Sequence, residues 1–144
     1  MVTNTSLPET YLERIRSRGR DANPFFQMMG IEVTSAGEGE ACLSMEIRPD
    51  MHNGVGWLQG GIFTALADEA MALALYTLTS REEKIATVTE TTTFIKGARH
   101  GMVVTMGRVV KRGRRVAFTD GEVREGGPEG DLLARTSAAF IILK

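Results

Sequence analysis

The 144-residue sequence predicts an α+β domain, an antiparallel β-sheet packed on one long buried helix, and three observations carry that reading. From Gly60 to about Thr79, apolar side chains point in nearly every direction around a helical axis, the mark of a helix that other elements must wrap. A strand pair precedes this stretch, and four β-branched or alternating segments follow it. Strands grouped on either side of a single helix suit an antiparallel sheet with the helix on one face rather than alternating βαβ units.

The elements follow in chain order. Ser6 to Glu9 has the spacing of a capping box with Pro8 in the first turn, so TYLERIRSRGR is expected as a short surface helix ending near Gly19. Residues 1–22 thus form an N-terminal helical extension of one domain spanning 1–144. Asn23-Pro24 restarts the chain, and Phe25, Phe26, Met28 and Met29 are expected to dock on the core. IEVTSAGEG and EACLSMEIRP read as a hairpin turning at Gly37 to Gly39. In its second strand Ala41, Leu43, Met45 and Ile47 alternate with Cys42, Ser44 and Glu46, a half-buried pattern. After the helix, which SREEK ends, IATVTETTTFIK has the β-branched content of a strand. GMVVTMGRVVKRG and RVAFTDGEVRE are joined near Arg112 to Arg114, and LLARTSAAFIIL is set off by GGPEG.

Composition excludes several function classes. A formal net charge of -1 argues against general affinity for nucleic acid or an acidic membrane. Asp68 and Glu69 interrupt the apolar run, so it is not a membrane span. The single cysteine, Cys42, permits no disulfide framework within the chain, and the opening MVTNTSLPET lacks the apolar core of a signal peptide. Both features predict a cytoplasmic protein. His52 and His100 have no Cys, Asp or Glu at metal-ligand spacing, and neither a metal nor a separate cofactor is expected.

The chemistry concentrates in HNGVGWLQGGIFTALADEA, residues 52–70. Thr64 and Asp68 are four apart and share a helix face. A carboxylate in an apolar helix is costly unless it is paired or used, so Asp68 caps a neighbouring loop, pairs with an arginine such as Arg99 or Arg135, or performs chemistry. The first turn of a helix offers unpaired N–H groups with partial positive charge. Glycines there let an oxyanion approach the backbone, which makes Gly60 and Gly61 an oxyanion site with Gln59 and Asn53 as nearby amides. The bland alternative is a tight loop-to-helix turn.

The composite Asn-x5-Gln-Gly-Gly-x6-Asp resembles the active-site signature of the hotdog-fold acyl-CoA thioesterases of the phenylacetic acid degradation type. That signature usually reads N-x-x-G-x-x-H-G-G-x-x-x-x-L-x-D-x-A. Asn53, Gly56, Gln59, Gly60, Gly61, Leu66, Asp68 and Ala70 stand at the matching positions. NPFFQMMGIEV resembles the family's lead into its first strand, and the likeness runs from about Asn23 to the C-terminus. One departure stands out: the usual His is Gln59.

The resemblance implies the hotdog architecture, a sheet curled around the helix, and hydrolysis of an aryl- or acyl-CoA to free acid and CoA. It implies Asp68 as general base or nucleophile, Gly60 N–H as oxyanion donor, and Asn53 orienting water or carbonyl. It also implies a homodimer or homotetramer, with Asn53 and Gly60 of one subunit facing Asp68 and Thr87 of the other. Gly61, Thr64 and Thr87 fall among the substrate-binding positions, although a strand Thr is usually only a good strand former. Coenzyme A enters as part of the substrate. Gln59 cannot shuttle a proton, but a leaving thiolate needs no strong acid, since a thiol has a pKa of about 8.5, and an amide N–H still donates.

Lys111, Arg112, Arg114 and Arg115 cluster at a hairpin and read either as a solvated turn or as a dock for the phosphates of coenzyme A. Two other function classes stay open: a module that binds acyl-CoA without hydrolysing it, which Gln59 favours, and a hotdog dehydratase or hydratase, for which no His accompanies Asp68.

Overall fold

The computed structural model describes residues 7–144, and Ser6, the expected cap, lies outside them. Helix α1 (Tyr11–Arg18) starts instead at Thr10, whose side chain accepts from Glu13 N–H while Glu13 reaches back to the Thr10 N–H. Such a reciprocal cap contributes about 1 kcal/mol. A 3₁₀ turn (Gly19–Ala22) leads into α2 (Pro24–Met29), where Asn23 caps the N–H groups of Phe25 and Phe26 and Gly30 closes the helix in the left-handed region. Phe26 and Met29 are buried and Phe25 packs partly against the core. Met28, expected to dock with them, is exposed. One helical turn has only one inward side, and Met28 falls on the other.

Strands β1 (Glu32–Gly37) and β2 (Glu40–Ile47) form the expected hairpin. Ala41, Leu43, Met45 and Ile47 of β2 are all buried, as their alternation predicts. Helix α3 (Gly60–Tyr76) follows, then β3 (Lys84–Phe94), β4 (Gly101–Arg112), β5 (Val116–Glu125) and β6 (Leu132–Leu143). All pairings are antiparallel, and the strand order is β1-β2-β4-β5-β6-β3. The fold is the expected α+β sheet around a long helix, the hotdog arrangement.

The helix stops at Tyr76 rather than Thr79. The Thr77 hydroxyl turns back to the Ala74 carbonyl and accepts from Gly39 N–H at 2.7 Å. The last N–H groups bond i→i−3, tightening the end. Phe63, Leu66, Ala67, Ala70, Met71, Leu73, Ala74 and Leu75 of α3 are buried; each of the larger ones stabilises the fold by about 1.5–3 kcal/mol. Burial is not uniform around the axis. The N-terminal helices cover one flank, where Tyr11 meets Tyr76 edge-to-face at 5.1 Å.

Gly107 and Gly121, register partners in the middle of the sheet, seat the helix. A Cβ on Gly107 would lie 2.4 Å from the Ala70 carbonyl carbon and oxygen, and one on Gly121 would lie 3.2 Å from Ala67 Cβ. Here the backbones of β4 and α3 touch with no side chain between them. Among the described residues no helix is long and apolar enough to cross a membrane.

Candidate active site

The loop before α3 is built by Asn53. Its Oδ1 accepts from the N–H groups of Val55 and Trp57, both at 3.0 Å, and its own N–H donates to the Trp57 carbonyl at 2.7 Å. The carbonyl end of Asn53 is therefore committed to the loop, which leaves the amide NH₂ as the group available to a ligand. Leu58 N–H donates to Ala98 O and Gln59 N–H to Met51 O, fixing the approach to the helix. Gln59 is the N-cap residue but makes no side-chain cap. The N–H groups of Gly60 and Gly61 begin the helix without intrahelical acceptors. Gln59 Oε1 folds over Gly61, 2.8 Å from where a Cβ would stand, and the Phe94 ring lies 3.5 Å from the equivalent point on Gly60. Asn53, Gln59, Gly60 and Gly61 thus share one end of the helix.

Trp57 and Arg99 join this end. The Arg99 guanidinium stacks 4.0 Å above the Trp57 ring, and His52 Nε2 hydrogen-bonds the Arg99 carbonyl. Arg99 is a potential partner of Asp68 by sequence, but its guanidinium is on Trp57, and neither it nor Arg135 forms an ion pair with Asp68 among the described residues.

Asp68 is half-buried and faces β3. The Thr87 hydroxyl donates to Asp68 Oδ1 at 2.8 Å, and the Glu90 carboxyl lies beside the Asp68 carboxylate. One turn earlier the Thr64 hydroxyl donates to Thr92 at 2.8 Å, and Thr92 in turn bonds Thr136. This arrangement depends on an irregularity in β3. The β3–β6 register shifts between Thr87 and Thr89, so Val88 is an extra residue and the alternation of faces slips by one. Ile85 and Thr87 face the helix before the bulge; Glu90, Thr92 and Phe94 face it afterwards. Strict alternation would have put Thr87 and Glu90 on opposite faces, which is why the Thr-rich sequence gives no sign of Glu90. Burial, and then the neighbouring Asp68, push the Glu90 carboxyl up to about 7.

Glu69, next along the helix, points the other way. Burial and Asp68 push it up to about 7 against the lowering effect of Asn23, whose amide donates to Glu69 Oε2 at 3.4 Å and to the Tyr11 hydroxyl at 2.8 Å. Among the described residues no three His, Cys, Asp or Glu side chains converge as a metal site.

The basic hairpin is elsewhere. Arg112 pairs with Glu83 and donates to the Gly113 carbonyl. Gly39, bonded to the C-terminal cap of α3, packs against Val109 of the same hairpin. Lys111, Arg114 and Arg115 are exposed. Within one chain this cluster therefore lies toward the C-terminal end of α3, and the structure does not bring it together with the diglycine turn.

Comparison with known proteins follows the same lines. The family model described as the thioesterase superfamily matches residues 56–130. Acyl-coenzyme A thioesterase 13 of Homo sapiens is 29% identical over 117 residues, covering 80% of this chain and 82% of that protein. A variant of a phenylacetic acid degradation protein from Thermus thermophilus is 29% identical and superimposes with a TM-score of 0.76 over 84% of this chain and 100% of that chain. A thioesterase from Haemophilus influenzae shares the fold at 18% identity, with a TM-score of 0.80 over 96% of this chain and 93% of that chain.

Proposed function

The chain belongs to the thioesterase superfamily and is a thioester hydrolase, and from that premise we propose that it cleaves an aryl- or acyl-CoA with Asp68 as the reacting carboxylate and Gly60 N–H as the oxyanion donor. One observation carries the reading. Of the two acids in the largely apolar helix, Asp68 is the one that faces β3, and a dedicated hydroxyl, that of Thr87, holds one of its oxygens. Asp68 takes a proton from a water whose oxygen attacks the thioester carbon, or itself attacks that carbon to give an acyl anhydride that water then cleaves to the free acid and the restored carboxylate. The carbonyl oxygen, as it gains charge, receives the uncapped N–H at the start of α3, reinforced by the helix dipole. The NH₂ groups of Asn53 and Gln59 complete the donors around carbonyl and sulfur. The thiolate then leaves without a strong acid.

The same geometry supports a site shared between two chains. Gly60 and Asp68 are eight residues apart, about 12 Å along the axis at 1.5 Å per residue. A single thioester carbonyl must lie within about 3 Å of both its donor and its attacking group. The missing half is supplied by a second copy placed against β3, which is an 11-residue edge strand with Val88 and Phe94 exposed by 63% and 57%. Long exposed edge strands are normally covered or blunted. A homodimer, or a dimer of dimers, brings Asn53 and Gly60 of one protomer to Asp68 and Thr87 of its partner.

The test uses a panel of aryl- and acyl-CoAs with free thiol as readout. Asp68→Asn should lower kcat by about 10²–10⁴ while CoA-ester binding survives. Asn53→Ala should also be impaired. Mixing the two variants should then restore about a quarter of the wild-type rate, because half the molecules are hybrids with one intact site in two. Full activity of Asp68→Asn would refute its role, and impaired variants that do not complement would refute the shared site. Wild-type protein that binds acyl-CoA tightly yet hydrolyses none of the panel would make it a binding module.

A further inference from the structure

We propose that Glu90 is a positioning residue for the reaction, holding a proton that it donates to the Asp68 carboxylate and so fixing that carboxylate from the side opposite Thr87. The inference rests on the reading of Asp68 as the reacting group and adds to it the group that sets the pH range of activity.

The geometry that carries it is the bulge. A single extra residue, Val88, turns both Thr87 and Glu90 onto the one helix turn that carries Asp68. Bulges re-aim side chains in this way beside functional sites. Without it, Glu90 would face away from the helix and only Thr87 would reach Asp68. The second observation is a buried oxygen with no partner. Glu90 Oε2 is out of contact with solvent and receives no hydrogen bond from any described residue. An ionised carboxylate would leave that oxygen uncompensated beside a second carboxylate, an arrangement disfavoured on both counts. A proton on Glu90 removes the charge and supplies the donor that the pair otherwise lacks.

From α3 only Asp68 faces Glu90, since Glu69 points to Asn23 and Tyr11. From β6 the register partner is Ala138, flanked by Ser137 and Ala139. On β3 itself the neighbour on the same face is Thr92. No Lys, Arg or His among the described residues pairs with Glu90. The Glu90 proton is therefore retained by burial and by Asp68, and it is lost around pH 7. Above that pH two carboxylates confront each other and Asp68 loses its fixed orientation. Displacement of a reacting group by about 1 Å lowers rates by up to about 10²-fold.

The experiment is the pH profile of kcat for the assembled wild-type protein, Glu90→Gln, Glu90→Ala and Asp68→Asn, followed by loss of thioester ultraviolet absorbance. Wild type should show a falling limb centred near 7. Glu90→Gln keeps a donor that does not titrate, so its profile should run flat across that limb and retain much more of the plateau rate than Glu90→Ala. Glu90→Ala should lose about 10- to 100-fold in kcat with KM little changed. A limb that persists unchanged in Glu90→Gln, or equal rates in the Gln and Ala variants, would overturn the inference while Asp68→Asn stays inactive. Activity retained in Asp68→Asn would overturn the underlying reading, and this inference with it.

Discussion

Replacing Gly107 with alanine tests whether the contact between helix and sheet is set by backbone rather than by side chains. The new methyl would stand 2.4 Å from the Ala70 carbonyl carbon and oxygen and 2.5 Å from Met71 N, where ordinary contacts lie at 3.4–4 Å. All three atoms belong to a buried helix, so α3 or β4 must shift by roughly 1 Å. Over-packing of this kind costs about 1–3 kcal/mol, occasionally more, and with no flexible side chain to yield we place Gly107→Ala at about 3 kcal/mol or above. That cost exceeds the 0.4–1 kcal/mol or so that a Gly→Ala change can return by restricting the unfolded chain. Gly121→Ala is the internal control. Its methyl meets Ala67 Cβ and Met71 Cγ at 3.2 Å and Met71 Sδ at 3.3 Å, and methionine adapts its rotamers, so about 1 kcal/mol is expected. Urea unfolding midpoints should rank wild type, Gly121→Ala, Gly107→Ala, with Tm lowered by about 6–12 °C in the last. Surviving Gly107→Ala enzyme should also lose kcat, because Asp68 lies on the helix segment that moves. If the two variants were equally stable, or Gly107→Ala matched wild type, the close backbone contact would not be what seats the helix.

Two further outcomes are expected. Glu69 keeps its proton to about 7 in the folded chain, against 4.5 for an ordinary glutamate, so the folded state binds more protons between those pH values. Its contribution to stability is greatest below 4.5 and is lost as pH rises through about 7. At 1.36 kcal/mol per pKa unit this amounts to about 3 kcal/mol. Glu69→Gln should gain on wild type by up to that amount in urea unfolding between about pH 4.5 and 8, and parallel curves would contradict the reading. For the basic hairpin, the triple change of Lys111, Arg114 and Arg115 to Ala should raise KM for acyl-CoA with kcat unchanged, less so at high salt, if the cluster meets coenzyme phosphates. An unchanged KM would leave it a solvated turn.

How much of this was legible in the sequence follows from which signals are local. The buried helix, its start at Gly60, the alternation in β2 and all six strands are local patterns of polarity and branching, and they appear as read. The pairing of Thr64 with Asp68 on one face is likewise a consequence of helical period. Three features were not legible. The bulge at Val88 is created by pairing with β6, and nothing in TVTETTT distinguishes a strand that slips by one residue from one that does not. The glycine pair under α3 is formed by residues on two different strands, and each glycine alone looks like an ordinary weak point in a strand. The distance between the basic hairpin and the diglycine turn depends on the length of α3 and on which end the hairpin folds back to. The displaced cap at the N-terminus has a different origin: Ser6 and Thr10 both have an acidic residue three positions on, and Thr10 is the one immediately before the helix.

Around one turn of α3 three carboxyl groups meet three environments, and their differences decide where the charge resides. Glu69 is pressed under the N-terminal helices, with only a long contact from Asn23. Glu90 is turned by the bulge toward the helix, with one oxygen unpartnered. Asp68 lies between them with a hydroxyl donor on Oδ1. Three adjacent ionised carboxylates would repel one another, and burial together with this repulsion pushes both glutamates up to about 7. Asp68 is the member that faces β3, the edge strand where a partner's diglycine turn would arrive in the proposed shared site. Divergent environments of this kind are how neighbouring acids take separate roles. The N-terminal extension therefore does more than cover apolar surface: by burying Glu69 it raises that carboxyl to about 7, against the lowering effect of the Asn23 amide.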